Sequence, residues 1–396
     1  MLAGERLRVP RLLRVAASLL CIAACSEAPL ESRAPGPGTI AWRVAEIRSP
    51  LDATELAADA MHVYAYRDGL SIAAVRLSDQ RIAWTARSDE TLDNQFAPRG
   101  LARCGSVVVF GSPGALYGVT PDSGRRLWRW RPSKGGALGY GAPVCSGSTI
   151  FFGTGRPMYI YAIDANTGAE RWASDVALDS VANGFARTPR ISDGVVIACT
   201  REFTRYFTGA ITGIDASTGQ RLWRHTWTTD FRTQDASCAA PVAAGGGLAI
   251  GAADDGRIFA LDLHAGTLRW TAPRIAAYNY DDNRPVIISD NRVIAGSASG
   301  EIVGLDLATG SELWRTIDAR GADYSSIRNQ FVEARGTAIG TNTSGFALAF
   351  DTRTGRQLWS FTSPGRDNGQ LLFGPGVLTD SLLVTVGSDG LYALRW

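Results

Sequence analysis

Asp281 and Asp282, just before Arg284 in the stretch YNYDDNRP, put two carboxylates and a guanidinium within four residues. Adjacent carboxylates can hold Ca²⁺, and acid beside base can form a polar site for a peptide segment or a small ligand. Arg328 and Asn329 in DYSSIRNQF, and Arg366 and Asp367 in PGRDNGQ, repeat this composition. The same groups would equally make solvated ion pairs of little energetic weight. A second candidate is TREFTRYFTG, residues 200–209, where Arg201, Phe203, Arg205, Tyr206 and Phe207 give an aromatic and basic tip. Interface hot spots favour that composition, although such a tip can also fold back over its own domain.

Other chemistry is poorly supplied. His62 lies in a strand pattern, His225 follows a tryptophan and His264 sits in a turn; there is no H-x-x-x-H, phosphate loop or G-x-S-x-G. Lys134 is the sole lysine, which leaves no plausible Schiff-base residue. Of the 40 basic and 38 acidic residues, four arginines and Glu5 lie in the first 24; the 36 basic and 37 acidic residues that remain nearly cancel. No basic footprint for nucleic acid exists.

The elements that must position these loops form a repeat. Ala162, Asp164, Gly168 and Trp172 recur as Gly213, Asp215, Gly219 and Trp223; Ala260, Asp262, Gly266 and Trp270; Gly304, Asp306, Gly310 and Trp314; and Ala349, Asp351, Gly355 and Trp359. Two worn copies precede them: Gly118, Thr120, Gly124, Trp128 and Ala74, Arg76, Gln80, Trp84. Successive tryptophans lie 44 to 51 residues apart, which suits one four-stranded blade of a β-propeller.

Within each copy, IFALD and its counterparts read as a third strand, D-x-x-T-G as a turn, and TLRW or RQLW as the outermost strand. Upstream hairpins such as APVCSGSTIFFG and VIISDNRVIAG supply the inner and second strands. Each indole is expected to dock on the neighbouring blade, burying on the order of 200 Å², with room left by the small residue ten places earlier. DGLYALRW stops at Trp396, where a turn should begin, and TIAWRVAEI carries Trp42 in the missing outer strand. Pairing the two removes both sheet edges and gives eight blades. The expected fold is therefore all-β, an eight-bladed propeller over 39–396 whose last blade is closed by an N-terminal strand. The charged loops would then converge on its axial funnel.

The first 24 residues read as a signal peptide, with Arg6, Arg8, Arg11 and Arg14 before the apolar run VAASLLCIAAC. That run is too short to span a bilayer. Ile22, Ala23 and Ala24 before Cys25 resemble a bacterial lipoprotein box, so Cys25 is the expected lipidation site; an ordinary secretory signal cut nearby is the alternative. Residues 25–38 carry this cysteine and a Pro-, Ser- and Gly-rich linker, whose 14 residues reach about 45 Å when extended. Ser26, by the sorting rule such lipoproteins resemble, points to the outer membrane. Export permits disulfides, and Cys104, Cys145, Cys199 and Cys238 allow three pairings.

The signature A-x-D-x-x-x-G-x-x-x-W with this period resembles the pyrroloquinoline quinone (PQQ) type repeat of eight-bladed propellers, from about Thr39 to Trp396. Two groups carry that repeat. Quinoprotein dehydrogenases add an adjacent cysteine pair over the cofactor, Ca²⁺ ligands and a catalytic aspartate; no two cysteines adjoin here. The BamB family of outer-membrane assembly lipoproteins is similar in signal, linker, length, blade count and closing strand. This second resemblance implies a non-catalytic scaffold without cofactor or metal, monomeric and held to the membrane by lipid alone. It implies a periplasm-facing outer-membrane location in a Gram-negative envelope, and protein partners in the barrel-assembly machinery. A periplasmic propeller that binds a ligand or peptide is the alternative reading, ahead of a PQQ-dependent oxidoreductase.

Overall fold

The turn between the third and outer strands is built by one carboxylate. Asp164 Oδ1 accepts the backbone N–H groups of Asn166 (3.0 Å) and Thr167 (2.9 Å). Gly168, at φ +71°, donates its N–H to the Asp164 carbonyl (2.8 Å). An L-residue there would be strained. Asp215, Asp262, Asp306 and Asp351 make the same pair of side-chain bonds. The worn copies fold into the same hairpin with other groups. The Thr120 hydroxyl accepts Arg125 N–H (3.2 Å), while Arg76 reaches forward to Asp79 (2.9 Å) and Gln80 takes the positive φ, +58°.

In this computed structural model the described residues are 36–48, 55–90, 100–138, 141–178, 184–202, 208–228, 242–253, 256–275, 286–297, 300–317, 331–342, 345–363 and 376–396. They form eight antiparallel sheets, arranged in a ring as the blades of a propeller, and Gly36–Trp396 is one compact unit. The first blade comprises Ala57–Ala58, His62–Asp68, Ser71–Arg76 and Ile82–Arg87. The fourth departs from the four-stranded plan. Its inner strand is split into Gly184–Ala186 and Arg190–Ser192, both paired with Val195–Glu202. Pro189, which has no N–H to donate, stands at the break.

The eighth blade joins Val377–Leu378, Leu382–Gly387 and Gly390–Arg395 to the N-terminal strand Ile40–Val44, with Trp42 opposite Ala393. Gly38 N–H donates to the Arg395 carbonyl (2.8 Å) and Arg395 N–H to the Thr39 carbonyl (3.0 Å). These are the bonds that Gly168 and Asp164 make within one continuous turn. Arg43 adds an ion pair to Asp389 (2.7 Å) and lies 5.2 Å over the Tyr392 ring.

Blades are joined through their tryptophans. A β-bulge in each outer strand sets the indole opposite the small residue of its own blade, as at Ala162 and Trp172 or Gly213 and Trp223. The indole N–H then donates to a backbone carbonyl of the next blade's turn. Trp84 bonds Pro121, Trp128 bonds Ala165, Trp172 bonds Ala216, Trp223 bonds Leu263, Trp270 bonds Leu307 and Trp314 bonds Thr352, all at 2.8–3.1 Å. The turn glycine of that next blade lies on the same ring: a Cβ on Gly168 would come within 2.7 Å of Trp128, and one on Gly219 within 2.6 Å of Trp172. Gly38 covers Trp359 in the same way. Trp42 packs in the eighth layer with Leu77 and Ile82, and Gln80 Nε2 donates to the Leu77 carbonyl (3.1 Å), the position that accepts an indole N–H elsewhere.

The core is accordingly not central. It is divided among layers between neighbouring blades, each holding one of these tryptophans. The second and third blades are also tied covalently at their inner strands by a Cys104–Cys145 disulfide with Cα atoms 5.5 Å apart. Cys199 is disulfide-bonded as well, to a cysteine outside the described residues.

Three outcomes follow for stability. Gly213→Val drives a side chain into the Trp223 indole and is expected to cost about 2–3 kcal/mol in urea unfolding. Gly147→Ala, at φ +57° with open space around it, carries backbone strain alone, about 1 kcal/mol. Replacing both Cys104 and Cys145 by serine, which opens a crosslink spanning 41 residues, is expected to cost about 2–4 kcal/mol; unfolding the wild-type protein with reductant, which also opens the Cys199 disulfide, should give at least that loss.

Candidate functional site

The structure separates the sequence candidates into two groups. Asp281, Asp282, Arg284, Arg328, Asn329, Arg366 and Asp367 lie outside the described residues, as do Phe203, Arg205, Tyr206, Phe207 and Cys25. Arg201 is described, and it is not on an exposed tip. It lies within Val195–Glu202, 5% exposed, paired with Gly209 on one side and Phe185 on the other. The inserted residues lengthen both strands of the hairpin, so pairing continues to Glu202 opposite Thr208 and draws Arg201 into the sheet.

That end of the fourth blade is a buried charged cluster, which sequence reasoning missed. Glu202 is fully buried, and its Oε1 accepts the Leu178 N–H (2.7 Å) from the preceding blade's exit. Arg224 donates to the Ala177 carbonyl (2.9 Å) and the Thr212 hydroxyl (3.2 Å), and burial lowers its pKa. Arg187 lies 5.3 Å over the Phe185 ring. The available signal was a run of charged residues continuing an apolar strand, where only paired charges are tolerated.

A second cluster stands where the first blade's outer strand leaves for the second blade. Glu90 accepts hydrogen bonds from Arg131 (3.0 Å), Tyr117 (3.3 Å) and Arg129. Burial opposes ionisation there, yet the two guanidinium groups hold the Glu90 carboxyl below the usual carboxylate range. Among the described residues these charges satisfy one another.

On the face carrying the inner hairpin turns, a cavity of about 610 Å³ opens between the seventh, eighth and first blades, lined among others by Asp59, Leu77, Arg335, Asp380 and Trp396. The Arg335 guanidinium lies 5.4 Å over the Trp396 indole, whose N–H donates to the Thr379 carbonyl (3.2 Å). Asp59 is committed to its own turn: against the effect of burial, the Tyr64 hydroxyl (2.5 Å), the Met61 and His62 N–H groups and Arg103 keep it ionised.

The inner strands surround the axis, and those of the first to fourth blades touch in series. Glu55 stands two residues before the first blade's inner strand and Arg190 opens the second segment of the fourth's. Both are half-buried. Among the described residues each is the charge that acts on the other, although their blades are not neighbours. Burial pushes the Glu55 carboxyl up to about 7, with Arg190 pulling the other way, and burial also lowers Arg190.

The quinoprotein resemblance implies PQQ and Ca²⁺. Among the described residues no three His, Cys, Asp or Glu side chains gather as a cation site, and the chain has no adjacent cysteine pair. The described residues do not fit that cofactor.

Comparison with known proteins places this geometry in a family. A family model described as outer membrane protein assembly factor BamB matches residues 112–360 and 226–395. Outer membrane protein assembly factor BamB of Yersinia pestis is 26% identical over 293 residues, covering 68% of this chain and 69% of that protein. The crystal structure of BamB from Moraxella catarrhalis superposes with a TM-score of 0.65 at 17% identity, covering 90% of this chain and 99% of that one. Quinohemoprotein alcohol dehydrogenase from Comamonas testosteroni gives a TM-score of 0.67 at 12% identity over 90% of this chain and 76% of its own. At these identities the two structures share the fold.

The Glu55 shift has a measurable consequence. A carboxyl whose folded pKa is raised contributes stability below its unfolded pKa and loses it as pH rises through about 7. Glu55→Gln removes that dependence. The variant is expected to match the wild type at pH 4 and to exceed it by about 3 kcal/mol at pH 8, read from urea midpoints at the two pH values.

Proposed function

Because the chain belongs to the outer membrane protein assembly factor BamB family, we propose that it is a non-catalytic, lipid-anchored scaffold that serves outer-membrane β-barrel protein assembly. The observation that carries this reading is the family match over residues 112–360 and 226–395, on a propeller whose described residues offer no cofactor site. In this reading residues 1–24 are removed on export, Cys25 receives the lipid and the linker to residue 38 holds a monomeric propeller clear of the outer membrane, facing the periplasm. The Cys104–Cys145 disulfide supports an oxidising compartment.

The propeller is entered at Gly38, which completes a turn of the third-to-outer-strand set. Loops joining an outer strand to the next inner strand run on the opposite face. A partner protein of the barrel-assembly machinery is proposed to dock there, using Phe203, Arg205, Tyr206 and Phe207 of the fourth-blade hairpin and the charged loops at Asp281, Asp282, Arg284, Arg328, Asn329, Arg366 and Asp367. Arg201 would support the hairpin from inside the sheet.

Crosslinking of intact cells, followed by affinity purification of the full-length protein, tests the proposal. A barrel-assembly subunit is expected in the crosslinked product, and deletion of the gene is expected to lower outer-membrane porin levels. Replacing residues 203–207 by a short Gly-Ser turn should abolish the crosslink while leaving the propeller folded. A lipidated, folded protein that captures no such subunit and leaves porin levels unchanged would sink the reading.

A further inference from the structure

The junction between the seventh and eighth blades departs from the others at two positions that touch. In the second to sixth blades the turn between inner and second strands places Gly105, Gly147, Asp193, Gly246 and Asp290 in the left-handed region. Such turns favour glycine, asparagine and aspartate. In the seventh blade the residue is Arg335, at φ +53°, where a long side chain is held against a backbone cost. The second position follows the third strand and its turn aspartate. It is Leu263 in the fifth blade, whose N–H donates to the Gly247 carbonyl (2.9 Å); in the eighth it is Trp396, whose N–H donates to the Ser381 carbonyl (3.3 Å). Between the fifth and sixth blades the two positions close on each other, and a Cβ on Gly246 would lie 2.9 Å from Leu307. Here a guanidinium lies over an indole, and the cavity of about 610 Å³ opens beside them.

The cation in that cavity is held in place but little used. Trp396 packs against the layer between the seventh and eighth blades, which fixes the ring under Arg335. Among the described residues Arg335 makes no ion pair, and its one hydrogen bond is a long one to the Asp380 carbonyl (3.4 Å). Its remaining donors form a planar fork that matches a carboxylate. Leu77, Leu378 and Leu382 add partly exposed apolar wall to the same cavity. Of the two acidic groups lining it, Asp59 is paired with Arg103 (3.3 Å), so Asp380 is the anion that a ligand would meet.

We infer that this cavity is a binding site for a small monocarboxylate with an apolar body, its carboxylate on the Arg335 fork and its hydrocarbon on the three leucines. The volume suits a small molecule. A single negative charge is all that Arg335 can neutralise; a second would be repelled by Asp380, which is how the site discriminates against phosphate. The cavity lies on the face opposite the loops proposed for protein docking, so the site does not require the scaffold reading to hold.

The full-length protein is titrated calorimetrically with hexanoate, octanoate and phenylbutyrate. Acetate lacks the apolar body, phenylbutanamide lacks the charge, and inorganic phosphate at alkaline pH is a dianion; these three are the controls. At least one of the acids is expected to bind with a Kd below about 1 mM, and each control at least about tenfold more weakly. Arg335→Gly, which accepts the positive φ without strain, is expected to leave the circular dichroism spectrum unchanged and to weaken binding by about tenfold or more. Arg335→Lys keeps the charge, removes the fork and is expected to give a smaller but measurable loss. Absence of binding by all three acids, equal binding of phenylbutanamide or phosphate, or binding that survives Arg335→Gly would overturn the proposal.

Discussion

The ring depends on one contact repeated around it: an indole N–H of one blade donating to the turn carbonyl of the next, with the next blade's turn glycine lying flat on the ring. Removing that contact would leave each blade a small sheet with two apolar faces, which cannot be stable alone. Both halves of the contact come from the same short signature, but from different copies of it. The aspartate orders the turn, the turn presents its carbonyl and its glycine, and the preceding blade's tryptophan closes over them. Each repeat is therefore a socket for the repeat before it and a plug for the repeat after it. Stability is distributed over the layers between blades, not gathered into one core.

A ring made in this way must close, and the eighth blade shows how. The carbonyl of Arg395 and the N–H of Gly38 meet as turn residues do elsewhere, although they lie at opposite ends of the sequence. Closure thus reuses the local geometry of an ordinary hairpin. What an unbroken turn gains from chain connectivity is supplied instead by the pairing of Ile40–Val44 with Gly390–Arg395 and by the Arg43–Asp389 ion pair. The third strand, Gly390–Arg395, is thereby paired on both sides and leaves no open edge at the seam.

Charged groups divide by position. Those at blade exits, such as Glu90 with Arg129 and Arg131, satisfy one another and tie the first blade's exit to the second blade's outer strand. Those inside the fourth blade, Glu202 and Arg224, hold the preceding blade's exit through its backbone. Glu55 and Arg190 beside the inner strands do neither: desolvation works against both charges and, among the described residues, is opposed in each by the other's charge.

The sequence by itself determined the repeat, its blade type and the closing strand, because the tryptophan, glycine and aspartate each answer a local requirement of a turn or of a strand one step away. It could not show which copy's glycine meets which indole, since that pairing joins adjacent repeats. It misread Arg201 as part of a tip, because whether an inserted stretch extends a loop or the strands beneath it depends on pairing across the hairpin. The split at Pro189 was invisible for a related reason: a proline interrupts a strand only where its missing N–H would have faced a partner. Glu55 and Arg190 carry no periodic signal at all and lie far apart in the chain. Only the packing of successive blades around the ring brings them near enough for each to feel the other's charge.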